Sequence, residues 1–202
     1  MKLYYSPGAC SLAPHIVARE AGLDVALEKV ALAAPERRTE SGRDYYEINP
    51  QGAVPALELD SGEVLTEAQV VLQYLAEQAP QARLAPREGM AHWRLLETLA
   101  FIATELHKGF GPFWKKANRE TQDAARKLLV NRFGLLARKL GDKPYLLGEF
   151  SIADAYAFVM LTWTRKHNID ISALPTLGAY FERLIARPAV RQALAEEGLP
   201  TA

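Results

Sequence analysis

Every strand signal in this 202-residue chain falls before residue 67, and that asymmetry limits the folds open to it. Lys2–Tyr5 reads as a short strand. Leu12, Ile16 and Val17 then recur at helical spacing, with Gly22 as the stop. Val25–Leu32 alternates apolar and polar residues as a second strand. The stretch from Ala33 to Gly52 is charged and irregular, punctuated by Pro35, Gly42 and Pro50. Val54–Leu59 and Glu63–Thr66 flank the tight turn Asp60-Ser61-Gly62 as a hairpin, and a helix follows from Glu67 to about Ala79. Pro80 to Glu88 has the composition of a linker, and only helical patterns come after it. Met90–Lys116 predicts a long helix with a kink or end around Gly109–Pro112, and Thr121–Leu140 a second, closed by Gly141. Asp154–Trp163 is apolar almost all round, as a buried central helix is. Leu177–Ala186 and Ala189–Glu197 are shorter helices parted by Pro188. A β-α-β…β-β-α block followed by an all-helical block predicts two domains, residues 1–80 and 88–202, with the split near residue 84.

Composition removes several function classes. The net charge is zero with 24 basic and 24 acidic residues, so there is no electrostatic footprint for nucleic acid. The richest apolar run, Ala155–Trp163, is far too short to span a bilayer, and Pro7, Gly8, His15 and Arg19 interrupt any apolar leader. One cysteine cannot close an internal disulfide. A soluble, cytoplasmic protein with neither nucleic acid nor membrane as partner is expected.

That cysteine, Cys10, follows a strand and a Pro/Gly turn and sits at or beside a helix start. Unpaired N–H groups and the positive end of the helix dipole favour a thiolate there, with the Ser11 hydroxyl adjacent. On frequency alone, a buried cysteine is more often a small hydrophobe. Val54-Pro55 opens a strand with a residue that cannot donate to the ladder. Most such prolines are ordinary edge prolines, but a cis bond would free the Val54 N–H and C=O to pair with an extended peptide. Leu65-Thr66-Glu67-Ala68 places an acidic residue in the first turn of a helix. This is either a complement to the dipole or a site for a ligand bearing both a carboxylate and an ammonium.

In the helical half, His107 and Lys108 are neighbours on the long helix, one turn beyond Ala103 and Thr104. Ala100 precedes His107 by seven residues and is expected to share its face. The remaining histidines, His15, His92 and His167, form no metal-ligand spacing with it, so no metal is expected. Ser151 and Asp154 have the spacing of a helix-capping box, a structural role.

Taken in order, SPGACSLAPH, INPQGAVPALEL, LTEAQVVLQYLAE, ATELHKGF and SIADAYAF closely resemble the bacterial beta-class cytosolic glutathione transferases over almost the whole chain. Each motif alone is weak; their joint order and separation carry the match. The resemblance implies an α/β thioredoxin-like N-terminal domain that binds glutathione, an all-α C-terminal domain that carries the electrophile pocket, and a homodimer active in detoxification. Catalytic roles fall to Cys10, Ser11 and His107. Glutathione contacts fall to Ala9, Cys10, Arg38, Gln51, Val54, cis-Pro55, Glu67, the N–H of Ala68, Glu105, His107 and Lys108. Phe113, Trp114 and Trp163 are the pocket aromatics. Glutathione is thus expected as co-substrate. Its thiolate would attack electrophilic apolar molecules, and Cys10 would add thioltransferase chemistry through a mixed disulfide. A non-enzymatic carrier or regulatory protein on the same fold is the alternative. Two departures stand out: Arg38 where the family often has a lysine, and Ala100 where some members have an asparagine used across the dimer.

Overall fold

The computed structural model describes residues 1–33 and 35–201; Ala34, within the predicted irregular segment, and Ala202 lie outside that description. The chain divides into two compact units, Met1–Ala85 with Ile185–Ala202, and Pro86–Leu184.

The first unit is built on a four-stranded sheet of order β2-β1-β3-β4: β1 (Lys2–Tyr5), β2 (Ala26–Lys29), β3 (Ala56–Glu58) and β4 (Val64–Thr66). β1 runs parallel to β2 and antiparallel to β3, which is in turn antiparallel to β4. Helix α1 (Leu12–Glu20) makes the parallel crossover and α2 (Ala68–Gln78) follows β4. The two-residue pleat separates the faces. Tyr4 and Ala56 are paired across β1 and β3, and both lie in a buried cluster with Val30, Tyr45, Ile48 and Val54. Leu3 and Leu57 fall on the other face, the one left for the buried residues of α1 and α2. The last helix, α8 (Pro188–Glu196), packs on α1 and so belongs to this unit.

The strands are shorter than their apolar runs. β2 ends at Lys29 because the chain turns: Val30 bridges to Thr39, and the Ala31 N–H bonds to the Arg38 carbonyl. β3 starts at Ala56, after a cis Val54–Pro55 bond.

The second unit is all helical. α5 (Arg119–Leu140) begins two residues before the periodic pattern because the Asn118 side chain accepts from the Thr121 N–H at 2.9 Å. α6 (Ile152–Lys166) is buried along nearly its whole length, and α7 (Pro175–Ile185) comes after it. The largest difference from expectation lies in the Met90–Lys116 segment. It is an α-helix, α3, only over Gly89–Phe101. It then widens into a π-turn over Ile102–His107, tightens to 3₁₀ over Lys108–Phe110, and ends in a short α4, Gly111–Trp114. The Lys108 N–H bonds to the Ala103 carbonyl, five residues back. One π-turn adds about one residue to the winding, which rotates the residues beyond it by roughly a quarter turn or more. Ala100 and His107 therefore do not share a face as an unbroken α-helix would require.

Among the described residues no helix is long and apolar enough to cross a membrane.

Candidate functional site

In the first unit the turn from β1 to α1 is tied by its own polar groups. The Ala9 N–H bonds to the Ser6 carbonyl at 3.0 Å, and the Ser11 hydroxyl takes the Ser6 N–H at 3.1 Å. Ser11 is completely buried, with its hydroxyl spent on Ser6. This turn sets Cys10 beside the cis-proline loop, 8% exposed, where its thiol donates to the Val54 carbonyl at 3.0 Å.

The loop that carries Val54 is held at three consecutive carbonyls. Arg37 donates to the Gly52 carbonyl. The Tyr45 hydroxyl and the Asn49 amide both donate to the Ala53 carbonyl, at 2.8 and 2.7 Å. Cys10 takes the third, on Val54. Burial raises the Tyr45 phenol pKa, so it stays a donor. Gly52 is required here. It has φ of 63°, and a Cβ would meet the Arg37 guanidinium and the Tyr46 ring at 2.6 Å. Gln51 is exposed, and its N–H bonds to Asn49.

Glu67 is exposed at the start of α2 with φ of 66° and ψ of 119°, a backbone conformation that a residue with a side chain rarely adopts. Such outliers persist where the surroundings impose them and concentrate at functional positions. Ala68 behind it is buried. The adjacent arginines Arg37 and Arg38 of the irregular segment point differently. Arg38 is exposed and bonds to Gly42 and Glu36, whereas Arg37 lies over the Tyr46 ring and reaches the cis-proline loop.

A second polar set fastens the Cys10 turn from behind. The Gly8 N–H donates to the buried Glu197 carboxylate at 2.8 Å. The His15 ring, also fully buried, meets Glu197 at 3.0 Å and Glu196 at 2.5 Å. Arg19 closes the set on Glu196 at 2.8 Å. Burial opposes the charge on Glu196, but hydrogen bonds from Gln192, Arg19 and His15 prevail and hold its pKa down at about 2.

In the helical unit the π-turn carries Glu105 and His107. Glu105 is ion-paired with Arg132 of α5 at 2.6 Å. His107 Nδ1 lies 2.7 Å from the Tyr156 hydroxyl, and its ring meets Trp163 edge to face at 5.1 Å. Burial, followed by the charge of Lys108, lowers its pKa to about 4, so the imidazole is neutral at neutral pH. Trp163 also meets Trp114 at 5.0 Å; Trp114 meets His167 at 4.5 Å; and His167 stacks on Phe113 at 5.0 Å. The predicted aromatics thus fall into one row with His107. Phe113 and Trp163 are buried and Trp114 is 42% exposed.

Sequence reading picked out Cys10, Val54 and Glu67 but passed over Arg37, Tyr45, Asn49, Glu197 and Tyr156. His15 and His167 carry no site role in it. The side chains that support a site come from distant positions. Only the Asn-Pro-Gln-Gly turn chemistry at residues 49–52 was a local signal. No group of three metal-ligating side chains occurs among the described residues.

Comparison with known proteins identifies the family. Residues 8–78 match the model of the glutathione S-transferase N-terminal domain and residues 101–188 that of the C-terminal domain. The chain is 42% identical to glutathione S-transferase GstA of Escherichia coli O157:H7, over 98% of this chain and 100% of the relative. A bacterial beta-class glutathione S-transferase from Sphingomonas chungbukensis superposes with a TM-score of 0.94 at 48% identity, covering 99% of this chain and 100% of that one. A sphingomonad glutathione S-transferase complexed with glutathione superposes at 0.93 with 47% identity, covering 99% and 100%. With both domain models matched in order and relatives aligned end to end, the chain belongs to the glutathione S-transferase family and resembles its bacterial beta-class members.

Proposed function

We propose that this glutathione transferase joins the glutathione thiolate to electrophilic apolar molecules, and that Cys10 gives it a second, thiol–disulfide activity. The observation that carries the reading is the 3.0 Å contact between the Cys10 thiol and the Val54 carbonyl. It sets the one cysteine of the chain beside the backbone groups best suited to pair with a short extended peptide. Glutathione is such a peptide: its cysteinyl unit pairs with Val54 and its sulfur lies next to Cys10. Glu67 takes the γ-glutamyl ammonium, and the Ala68 N–H the adjoining carboxylate. For the glycyl carboxylate, Arg37 is better supported than Arg38, because its guanidinium already reaches the loop while Arg38 is occupied by Gly42 and Glu36. Ala9 and Gln51 complete the contacts on this unit. Ser11 acts by holding the turn, its hydroxyl being bonded to Ser6.

In conjugation the sulfur forms a bond to carbon and the leaving group departs with its electron pair. The thiol proton passes to solvent: with its pKa held at about 4, the His107 imidazole is too weak a base to keep it, and its role is that of a neutral hydrogen-bonding ring for the thiolate. Lys108 supplies positive charge for glutathione, and Glu105 acts through its pairing with Arg132. Trp114, with Trp163 and Phe113 behind it, receives the electrophile. In the second activity the Cys10 thiolate attacks the glutathionyl sulfur of a mixed disulfide and the other thiol leaves. A glutathione thiolate then attacks the Cys10 adduct, which releases glutathione disulfide and restores Cys10. The working form is a cytoplasmic homodimer, in keeping with the exposure of Met90 and Trp93 on α3.

The test is retention on immobilised glutathione, then an aryl-chloride conjugation assay, then intact mass after incubation with glutathione disulfide. Retention, turnover and one glutathione adduct per chain, absent in Cys10→Ala, are expected. Retention without turnover would leave the carrier reading, and an unmodified Cys10 would end the disulfide activity.

A further inference from the structure

Trp114 is the exposed member of the aromatic row, and its surroundings are charged in one sense. The Lys166 ammonium stands 4.7 Å from the centroid of its ring. Lys115 and Lys116 come next in the chain, both exposed. Among the described residues none of these three lysines has a carboxylate within ion-pair distance. Several acidic side chains of the helical unit are engaged elsewhere. Asp123 of α5 pairs with Arg126 at 2.9 Å and with Arg119 at 3.8 Å, and Glu105 pairs with Arg132. Arg126 in turn lies over the Phe113 ring, 5.1 Å from its centroid.

His167 adds an independent sign. It stands between the Phe113 and Trp114 rings, and its Nε2 is buried with no hydrogen-bond partner. A buried nitrogen without a partner forfeits a hydrogen bond, and native structures seldom leave one so. An oxygen-bearing ligand seated at Trp114 would supply it. Lys166 lies over the face of the indole; when its flexible side chain swings aside, a flat ring gains from stacking on that face, and a negative substituent gains further from the displaced, unpaired ammonium.

We propose that the helical unit selects planar aromatic ligands bearing an anionic substituent, with Trp114 as the stacking surface and Lys166 as the charge partner. This names the substrate class for the transferase reading above and rests on it. Neutral aryl halides use the same surface without the charge term.

Two aryl chlorides with the same leaving group test it: neutral 1-chloro-2,4-dinitrobenzene and anionic 4-chloro-3,5-dinitrobenzoate, each normalised to its rate with free glutathione. The normalised kcat/KM should favour the benzoate about threefold or more, in the range of a partly exposed charge pair. The preference should vanish in Lys166→Ala and return in Lys166→Arg. Unreactive ligands give a second readout: 3,5-dinitrobenzoate should quench tryptophan fluorescence at lower concentration than 1,3-dinitrobenzene, and Trp114→Phe should remove the difference. If neither chloride reacts but the selective quenching persists, the transferase reading falls and the anion-selective subsite stands. Equal normalised ratios in the wild type and Lys166→Ala, with equal quenching by the two unreactive ligands, would overturn it.

Discussion

The loop around Val54 and the row around Trp114 are fixed by opposite means. At Gly52, Ala53 and Val54 each carbonyl is held by a side-chain donor from a different place in the first unit: Arg37, then Tyr45 with Asn49, then Cys10. The aromatic row is held by ring contacts, with one polar bond at its end between His107 and Tyr156. Hydrogen bonds are directional and fix where an acceptor points to a fraction of an ångström. Ring packing fixes a surface and tolerates many shapes against it. A loop of the first kind suits one invariant peptide partner, and a surface of the second suits a varied set of electrophiles.

The helical unit does have a polar anchor, away from its aromatic row. Asp154, in the first turn of α6, is fully buried and accepts four hydrogen bonds: from Leu146 N–H, Ser151 N–H, the Ser151 hydroxyl and the Tyr180 hydroxyl. Burial pushes its pKa up and these donors pull against that. The most damaging single change in the comparison is therefore Asp154→Ala, which strands all four donors. The expected loss is about 3 kcal/mol or more of unfolding free energy, from several unsatisfied buried groups together. Chemical denaturation measures it. A loss under about 1 kcal/mol would mean that packing alone holds the helical unit.

Next in size is the loss of directional contacts on the first unit. Glu67→Ala should weaken glutathione by about 1.5–3 kcal/mol, the range for hydrogen bonds to charged groups, with little change in KM for the electrophile. Arg37→Ala should weaken glutathione more than Arg38→Ala, because Arg37 also fixes the Gly52 carbonyl. Calorimetric titration with glutathione separates them. The reverse order would return the glycyl carboxylate to Arg38. A loss shared equally with the electrophile would blur the contrast between the two regions.

How much of this was readable in advance divides along the same line. The order of elements and the two-part architecture follow from local pattern, period and turn chemistry. Cys10, Val54 and Glu67 stand out locally, but their binding roles come from the resemblance, since local pattern alone favours an ordinary edge proline at Pro55 and a dipole complement at Glu67. Strand ends did not, because β2 stops where Val30 meets Thr39, a contact no window of sequence contains. The π-turn was invisible for a related reason. Its residues, Ile102–His107, have ordinary helix composition, and the extra winding shows only in the hydrogen bonds. The choice between Arg37 and Arg38 likewise depends on which one the backbone turns toward Gly52. The support under the site, His15 with Glu196 and Glu197, joins residues more than 180 positions apart.

The smallest effect separates the two regions by their response to acid. His107 takes a proton at about 6.5 when unfolded and at about 4 when folded, so between those values the unfolded chain binds more protons. Stability of the helical unit therefore falls as pH drops from 6.5 toward 4, by about 1.5 kcal/mol between pH 6.5 and 5 if the shift is complete. His167, whose pKa burial lowers and the charges of Lys166 and Arg126 lower further, acts in the same direction. Glu196 in the first unit behaves in the opposite order. Its folded pKa of about 2 lies below the usual carboxylate value of 4.5, so its contribution is intact down to about pH 4.5 and is lost only as pH falls toward 2. Denaturation of the wild type at pH 6.5 and 5 should show the loss, and His107→Phe should reduce it to the His167 remainder. A slope unchanged by that substitution would mean that the proton goes elsewhere, and that His107 is not the neutral, buried ring its contacts with Tyr156 and Trp163 imply.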